Sequence, residues 1–350
     1  MNKWYLNLHE DSENDIVLST RIRLARNLEQ FPFGDNISNE DAIKLSELIK
    51  GAVTDINLGD NPLTFNSGID IDDTTIRTLV EKHSISPDFA NNRSHSSLLL
   101  SEDESISIMI NEEDHVRIQA LQSGLSLNRA LDIANKVDDV IDARVNYAFD
   151  EKLGYLTTCP TNIGTGLRAS VMLHLPAYER ANMIPNLASM VSKLGLTIRG
   201  VFGEGSNQRG SIYQISNQIT LGISESDAIA NLEGIVLQII KQERLMRKSQ
   251  FDASPALEDA IYRGYGILKY ARRISSQEMY QLISVLREGI SLGVFNKIDI
   301  AKINKLEFEC GTAQLIKKLK VDDNLDEDED KRTCADSRDK LRASLIRNLI

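Results

Sequence analysis

The chain has 350 residues, of which 41% are hydrophobic and 26% are charged, and its formal net charge is −11 at pH 7. This is the composition of a globular protein with room for one large and one smaller domain, and it excludes a disordered or fibrous chain. The acidic balance disfavours a nucleic-acid coating function, and no apolar run reaches the length of a signal peptide or membrane span, so neither nucleic acid nor membrane is an expected partner.

The predicted elements of the first 250 residues mix strands and helices. Residues 1–14 are polar and predict an N-terminal arm, whereas residues 15–24 (DIVLSTRIRL) are short and β-branched, which favours a strand. Ser38 is predicted to cap a helix, because Asp41 follows three positions later and apolar residues then recur at helical spacing. The further predicted elements are strands at 98–100 and 105–110, a helix at 127–145, a hairpin of strands at 197–202 and 211–215 around a glycine-rich loop, and a helix that starts at Ser224.

Beyond residues 249–255 every predicted element is a helix. Ser275 and Glu278 form a capping box for one of them, and Gly293 ends it. Seven of the nine residues in 322–330 (DDNLDEDED) are acidic, and a run that repels itself in this way is typical of a solvated linker. The sequence therefore predicts an arm at 1–14, a mixed α/β domain at 15–250 and a helical domain at 251–350, which ends in a helical segment at 335–350.

Common nucleotide-binding motifs are absent from the sequence. There is no GxxxxGK[ST] and no HRD or DFG set, which excludes a P-loop protein and the protein-kinase fold. The run Gly164-Thr165-Gly166 lacks the third glycine of a dinucleotide fingerprint, and an arginine follows it. A nucleotide would therefore have to be held by other means.

The arginines suggest such a means. Arg21 and Arg23 are two positions apart on a predicted strand, so their side chains share one face. Arg168 is predicted to begin a helix after the glycine-rich turn. Guanidinium groups bind oxyanions through two parallel hydrogen bonds and stay charged. For any one arginine, a surface salt bridge is an equally simple explanation. Several arginines that each lie beside a glycine, an acidic cluster or a strand end instead predict a polyphosphate site. These arginines are Arg21, Arg23, Arg117, Arg168 and Arg199.

Two further segments carry reactive side chains. Residues 111–115 (NEEDH) follow the end of an apolar strand. They form either a solvated turn or a group of carboxylates that orients a cationic nucleophile and accepts its proton. In residues 159–170 (CPTNIGTGLRAS), Cys159 precedes a tight turn and a predicted helix start, where backbone N–H groups meet anions. A small buried apolar role is the alternative for this cysteine. With Cys310 and Cys334 it forms no zinc-type spacing, which favours a reducing, cytoplasmic location and no structural metal.

Together these segments resemble the guanidino phosphotransferases, the phosphagen kinase family, over residues 15–245. The resemblance is carried by residues 19–23 (STRIR), 111–119 (NEEDHVRIQ), 159–170 and 199–206 (RGVFGEGS). Residues 166–177, 216–222 and 338–343 (RDKLRA) resemble the bacterial branch, the protein arginine kinases. Only eighteen residues precede Ser19, so the helical domain found before this motif in phosphagen kinases is expected to be missing, which would open the site to an arginine presented by a protein.

The resemblance implies an α+β fold with a mainly antiparallel sheet flanked by helices, and an ATP:guanidino phosphotransferase activity. It implies that Glu113 is the base with Glu112 close by, that Glu204 grips the guanidinium from the other side, and that Cys159 orients it. His83 would lie against the base or ribose of ATP, with Mg²⁺ bridging the phosphates and few or no direct protein ligands. The implied nucleotide-contacting positions are Ser19, Thr20, Arg21, Ile22, Arg23, His83, Arg117, Arg168, Ala169, Ser170, Val171, Met172, Arg199, Gly200, Val201, Phe202, Gly203 and Glu204.

The C-terminal RDKLRA segment puts Arg338 and Arg342 one helical turn apart, on one face. The spacing alone fits an exposed basic stripe, whereas the resemblance implies a phosphoarginine pocket formed by Arg338, Asp339, Lys340, Leu341, Arg342 and Ala343. It further implies a homo-oligomer, protein substrates with exposed arginine, a zinc-finger activator, and a Clp-type AAA+ protease as partner in a stress response. Two other functions stay open, a kinase of free arginine or another small guanidine, and a phosphoarginine-binding adaptor without catalysis.

Overall fold

An eight-stranded antiparallel sheet organises the first part of the chain in a computed structural model. The structure describes residues 2–54, 56, 58–200, 210–322 and 330–350, without the side chains of 35, 320–322 and 330–334. The strands are β1 (Val17–Arg26), β2 (Leu63–Ser67), β3 (Ser97–Ser101), β4 (Ile106–Ile110), β5 (Val116–Ser123), β6 (Phe149–Asp150), β7 (Gly154–Tyr155), β8 (Leu167–His174), β9 (Leu196–Gly200) and β10 (Ile212–Asn217). The helices are α1 (Asn39–Val53), α2 (Asp73–Glu81), α3 (Pro87–Asn91), α4 (Leu127–Asp142), α5 (Pro176–Arg180), α6 (Ile184–Lys193), α7 (Glu225–Ala253), α8 (Pro255–Tyr270), α9 (Ser276–Ser291), α10 (Ile300–Glu309), α11 (Thr312–Asp322) and α12 (Asp330–Leu349).

Strand β1 lies near the middle of the sheet, whose order is β2-β3-β4-β5-β1-β8-β10-β9. The predicted strand at 15–24, the pair β3–β4, the hairpin β9–β10 and the α+β class are confirmed. The serine caps are confirmed too, because the hydroxyl oxygens of Ser38, Ser224 and Ser275 each accept a backbone N–H three residues later, at the start of α1, α7 and α9.

One face of the sheet is the main hydrophobic core. Alternate residues of β1 and β8, among them Ile22, Leu24, Ala169 and Val171, are fully buried there against α1, α4 and α7. The period of two in each strand leaves the residues between them on the opposite face. Truncating a side chain such as Ile22 to alanine would cost about 2–5 kcal/mol of stability, so this core fixes the sheet that carries the polar face.

The predicted helix start at Arg168 is wrong, because residues Leu167–His174 form β8. Leu167, Ala169, Val171 and Leu173 are each 0% exposed, so the apolar residues recur with the period of a strand, not of a helix. The turn before β8 is built on Gly164, which has a φ of +113° and a carbonyl of Thr220 where a side chain would begin. The chain thus leaves the glycine-rich turn straight into the sheet.

The polar face of the sheet is covered at both ends. At one end, α2 and α3 pack Leu79 and Phe89 against Met109 of β4. At the other, Trp4 and Tyr5 form a buried cluster with Leu121 of β5 and Phe308 of α10, and the rings of Tyr5 and Phe308 stack with centroids 4.8 Å apart. The predicted polar arm at 1–14 is therefore packed in part between the sheet and the helical region. A cavity remains on this face, lined by residues of β1, β5, β8, β9 and β10 and by the start of α3.

The helical region has a core of its own, which includes Leu268, Met279, Leu306 and Ile346. It is joined to the sheet region by buried polar contacts. The carboxylate of Glu81, at the end of α2, accepts the backbone N–H groups of Ala313 and Gln314 at the start of α11, and Arg180 pairs with the fully buried Glu288 of α9. None of the helices in the described ranges combines the length and apolar character needed to cross a membrane.

Candidate active site

The register of the sheet places the predicted phosphate-binding arginines on one face. Arg23 of β1 is opposite Arg168 of β8, and Arg117 of β5 is opposite Ala25, two positions from Arg23. Arg199 of β9 is opposite Gln214 of β10. Cross-strand partners point to the same side of a sheet, and this side is the one opposite the hydrophobic core.

A cavity of about 380 Å³ opens on this face. It is lined by the five arginines together with Glu113 and Cys159. Six of these seven side chains come from three motifs that are distant in the chain, and Arg199 comes from the glycine-rich hairpin. Sequence reasoning missed five polar residues of the lining, namely Ser86, Asp88, Thr161, Asn162 and Gln214. Ser86 and Asp88 follow His83 closely in the chain, and Thr161 and Asn162 follow Cys159, so nearness to a predicted site residue is their sequence signal.

The arginines raise the positive potential of this cavity. The pKa of Arg21 is lowered to about 10, mainly by burial and then by Arg168 and Arg117, and it stays protonated at neutral pH. Burial likewise lowers the pKa of Arg23 and Arg168, with further lowering from neighbouring arginines. The Nε atoms of Arg23 and Arg168 are buried without an acceptor among the described residues. Concentrated charge and unused donors fit a polyanionic ligand.

Polar side chains of β10 hold two of the guanidinium groups in place. Gln214 accepts a hydrogen bond from Arg21 Nη2 at 2.9 Å, and Ser216 accepts one from Arg168 Nη2 at 3.2 Å. These bonds fix each guanidinium plane and leave other N–H groups unused. Strand β10 therefore orients the forks that β1 and β8 carry.

Glu112 and Glu113 differ in burial, although they are adjacent in sequence. Arg117 donates to Glu112 Oε1 at 2.6 Å and to Glu113 Oε2 at 2.8 Å. The Glu112 side chain is 0% exposed and also accepts the hydroxyl of Ser86 and the backbone N–H of Glu113, whereas that of Glu113 is 39% exposed. Burial raises the pKa of Glu113, with the charges of Asp114 and Glu112 adding to it and Arg117 opposing it.

Asp114 connects this acidic segment to the cysteine loop. Its Oδ1 accepts the backbone N–H of Thr158 at 2.7 Å and the side-chain amide of Asn27 at 2.8 Å. Cys159 comes next in the chain, starts a 3-10 turn (Pro160–Asn162) and has its Sγ 3.0 Å from Thr161 Oγ1. His115 is structural, because its Nδ1 accepts the N–H of Leu28, so that Nε2 donates to the Pro32 carbonyl. Asp114 therefore positions the thiol and was missed as a functional residue.

The remaining predicted nucleotide contacts fall into four groups. His83 has a φ of +60° and lies near Arg21, and burial, followed by that arginine, lowers its pKa to about 4, so it is neutral. Ile22, Ala169 and Val171 point into the core, and Thr20 is buried with its hydroxyl bound to the Gly124 carbonyl. Ser19, Ser170 and Met172 share the face of the arginines, and Gly200 ends β9. Val201, Phe202, Gly203 and Glu204 lie outside the described residues.

The RDKLRA segment lies in α12, as predicted. Arg342 is 1% exposed and donates from Nε to the Cys310 carbonyl at 3.1 Å and from Nη1 to the Ile274 carbonyl at 2.8 Å and to Asp339 at 2.7 Å. Ala343 belongs to the helical core, and Lys340 pairs with Asp336. Arg338 and Leu341 are half-buried. Phosphoarginine binding by this segment stays a prediction. To bind phosphate, the Arg342 guanidinium would have to give up its hydrogen bonds to the two backbone carbonyls.

The lining of the cavity suits the phosphate part of a magnesium-bound nucleotide. Within the part of the chain that the structure describes, no group of three or more His, Cys, Asp and Glu side chains is arranged to hold an ion. The arginine-lined cavity fits phosphate oxygens, which are themselves good magnesium ligands. The described residues are thus compatible with a magnesium ion that enters on the nucleotide.

Comparison with known proteins gives matches in both parts of the chain. The sequence model of the ATP:guanido phosphotransferase C-terminal catalytic domain matches residues 44–246, and that of the protein-arginine kinase McsB C-terminal domain matches residues 254–350. A protein-arginine kinase of Halalkalibacterium halodurans is 46% identical over 336 residues, which cover 96% of this chain and 92% of that relative. A protein-arginine kinase of Clostridium acetobutylicum is 45% identical over 312 residues, covering 87% and 90%.

Solved structures agree with these matches. The substrate-free duplicated taurocyamine kinase from Schistosoma mansoni is similar with a TM-score of 0.61 and 26% identity, over 77% of this chain and 41% of that longer chain. Lombricine kinase is similar with a TM-score of 0.58 and 25% identity, over 69% of this chain and 68% of that one. On the strength of these matches and of the arginine-lined cavity, the chain belongs to the ATP:guanido phosphotransferase family of enzymes, and within it to the protein-arginine kinases.

Proposed function

We propose that this protein transfers the γ-phosphoryl group of MgATP to arginine side chains of other proteins. The observation that carries the proposal is the single cavity in which five arginines meet Glu113 and Cys159. Arginines alone would indicate an anion-binding site, and a carboxylate alone would indicate a cation-binding site. Because both line one cavity of about 380 Å³, the cavity supports a reaction between a polyphosphate and a guanidinium. The names of the relatives support a protein as the carrier of that guanidinium.

The arginines act on the phosphates. Phosphoryl transfer passes through a loose transition state, so the protein contributes mainly alignment and neutralisation of charge. Arg23 and Arg168, opposite each other with buried unused Nε donors, are suited to grip adjacent phosphate oxygens. The magnesium ion of MgATP neutralises further phosphate charge when it is bound. Gln214 and Ser216 keep the forks of Arg21 and Arg168 in place before the nucleotide arrives.

Glu113 acts on the acceptor. A guanidinium has a pKa above about 12 and is not nucleophilic until it loses a proton. In the step that we propose, the acceptor nitrogen forms a bond to the γ-phosphorus, the bond from that phosphorus to the ADP oxygen breaks, and the proton passes to the Glu113 carboxylate. Glu113 is the partly exposed member of the pair and its pKa is raised, which suits a base.

Glu112 has a different part in this proposal. Its carboxylate is fully buried and accepts hydrogen bonds from Arg117, from Ser86 and from the N–H of Glu113. It has no exposed oxygen to offer to a substrate, and it fixes Arg117 instead. Cys159, held at the cavity by the bond between Asp114 and Thr158, contacts the acceptor and orients it without forming a covalent intermediate. Glu204 remains proposed as the second carboxylate on the guanidinium.

The proposal is tested by competition between acceptors. The protein is incubated with ATP, a mixture of folded proteins and free arginine, and acid-labile phosphate is measured in the protein and small-molecule fractions. We expect label in the protein fraction, on arginine, and no label with the Glu113→Gln variant. Label on free arginine alone would identify a small-guanidine kinase, and the absence of label with intact phosphoarginine binding would identify an adaptor.

The cellular role is proposed on sequence resemblance alone. The segments 111–119, 159–170 and 338–343 support a role in marking proteins for a Clp-type AAA+ protease in a stress response, with a zinc-finger protein as activator and with self-association of the chain. A pull-down from cells exposed to heat, with catalytically inactive protein as bait, tests these partners. Recovery of neither a protease subunit nor a zinc-finger protein would count against them.

A further inference from the structure

A second cavity lies directly behind the acidic segment. It has a volume of about 230 Å³, enough for one side chain, and Glu113 lines both this cavity and the arginine-lined one. Its walls include Asn111, Glu112 and Asp114, and Asn92 and His95 lie at its rim. No lysine or arginine is among the described residues that line it. The two cavities thus share a wall but have opposite charge.

Two buried oxygens in the walls of this cavity have no hydrogen-bond donor among the described residues. They are Oδ2 of Asp114, whose side chain is 1% exposed, and Oδ1 of Asn111, which is 8% exposed. The other oxygen of Asp114 accepts only neutral donors, Asn27 and the N–H of Thr158. A buried carboxylate is normally paired with a cation, because leaving it with an unused lone pair costs free energy. Glu112 and Glu113 are paired with Arg117, whereas Asp114 has no cationic partner among the described residues.

The missing charge fits an organic cation better than a metal ion. The described residues contain no group of three His, Cys, Asp and Glu side chains that converge as metal ligands. The unused acceptors belong to Asp114 and Asn111, which line a space the size of a side chain, and this suits an ammonium or guanidinium with several N–H donors. The rim is accessible, since Asn92 is exposed and His95 is half-buried.

We propose that this cavity is a subsite for a second basic side chain of the protein substrate, close in sequence to the arginine that is phosphorylated. The inference rests on the proposed function, because the acceptor arginine must enter the neighbouring cavity. The shared wall at Glu113 sets the distance between the two side chains at a few residues of an extended peptide. Substrates with paired basic residues are therefore preferred over those with an isolated arginine.

The test uses peptides with one arginine among uncharged residues. A lysine, which cannot accept phosphate at a guanidino nitrogen, is placed in turn at each of the three positions before and after the arginine, and norleucine replaces it in matched peptides. Phosphoarginine formation gives KM and kcat for every peptide. We expect lysine, and not norleucine, to lower KM by about tenfold at one or two positions, the effect of one charge-assisted hydrogen bond.

Two variants connect that preference to the cavity. Asn92→Lys puts a positive charge at the rim, and the ratio of KM values between the norleucine and lysine peptides should fall to about one. Asn91→Lys is the matched control, because Asn91 is an exposed neighbour outside the lining and adds the same charge to the same surface. The Asn91→Lys variant should keep most of the ratio of KM values between the norleucine and lysine peptides.

Each outcome decides the proposal. Equal KM values for lysine and norleucine peptides would overturn it and leave the proposed function intact. An equal loss of the ratio in both variants would also overturn it, since general attraction to an acidic protein would then explain the preference. If no peptide is phosphorylated while folded proteins also stay unlabelled, the proposed function itself fails and the subsite falls with it.

Discussion

Arg23 and Arg168 face each other across adjacent antiparallel strands, and the Nε atom of each is buried without an acceptor among the described residues. Burial lowers the pKa of both guanidinium groups, and neighbouring arginines lower it further, Arg168 among them in the case of Arg23. The sheet thus keeps the pair in a state that phosphate stabilises. Binding of a polyanion at this pair should therefore raise the free energy of unfolding of the protein.

The geometry of a guanidinium, and not its charge alone, is needed at position 168. Arg168→Lys keeps a positive charge but loses the planar fork that Ser216 orients, so we expect kcat/KM for ATP to fall by about tenfold or more. Arg263→Lys, at an exposed residue of α8 that pairs with Asp259 of the same helix, is the matched control and should change nothing. Steady-state kinetics with an arginine peptide make the measurement. Equal rates for Arg168→Lys and wild type would show that charge suffices.

Glu113 and Glu112 should give different kinetic losses. Glu113→Gln keeps the shape of the side chain but cannot accept a proton, so kcat should fall by about 100-fold or more while ATP still binds. Glu112→Gln loosens Arg117 and should mainly raise KM for ATP. Glu258→Gln, on the exposed surface of α8, serves as the control. A larger loss of kcat in Glu112→Gln than in Glu113→Gln would reverse the two roles.

The pH dependence follows from the raised pKa of Glu113. The base works only when ionised, and burial moves its pKa above the usual 4.5. As the pH falls through the raised value the carboxylate takes up a proton, so kcat/KM for the peptide should decline on the acid side and level off above it. A profile from about pH 5 to 8, with circular dichroism to show that the protein stays folded, measures this. The acid limb should be absent in Glu113→Gln, and an unchanged limb there would assign it to another group.

Arg342 should matter for stability before it matters for ligand binding. Arg342→Ala leaves the buried carbonyls of Ile274 and Cys310 without a donor, and each such loss costs about 1–3 kcal/mol, so the free energy of unfolding should drop by at least about 2 kcal/mol. Lys302→Ala, at an exposed residue of α10, should stay within about 0.5 kcal/mol. Denaturant titration measures both.

Arg338→Ala tests the phosphoarginine pocket at a half-buried position of α12. It should weaken binding of a phosphoarginine peptide by about tenfold or more, because a charge-assisted contact is lost. The peptide is titrated into wild-type and variant protein, and Lys302→Ala is the control. Equal affinity in all three would make 338–343 an ordinary surface helix.

Much of the site could be predicted where one strand or one helix decides the geometry. Arg21 and Arg23 share a face because strands have a period of two, and the serine caps act within four residues. The glycine-rich turn before Arg168 resembles a helix entry, but the helix prediction is wrong, because Leu167, Ala169 and Val171 recur at every second position, as in a strand.

The rest depends on partners that are distant in the chain. The sequence does not show that Glu112 and Glu113 differ in burial. The buried carboxylate of Glu112 is bound by the hydroxyl of Ser86, and the position of Ser86 depends on the packing of α2 and α3. Nor does it show that Arg342 is occupied, because its acceptors are backbone carbonyls that any residue type provides. Motifs identify the chemistry of a site, and long-range packing decides which member of a motif is free to act.

The cluster of Trp4 and Tyr5 with Phe308 has a consequence for synthesis on the ribosome. About 300 residues separate its two parts, so at roughly 5–20 residues per second Phe308 is made some 15–60 s after the first aromatic residues. In the last part of that interval the sheet has its sequence complete, because β10 ends at Asn217, yet Trp4, Tyr5 and Leu121 lack the ring that covers them. The start of the chain is thus among the last parts of the nascent protein to be sealed, and chaperones that bind exposed aromatic residues have most time to act there.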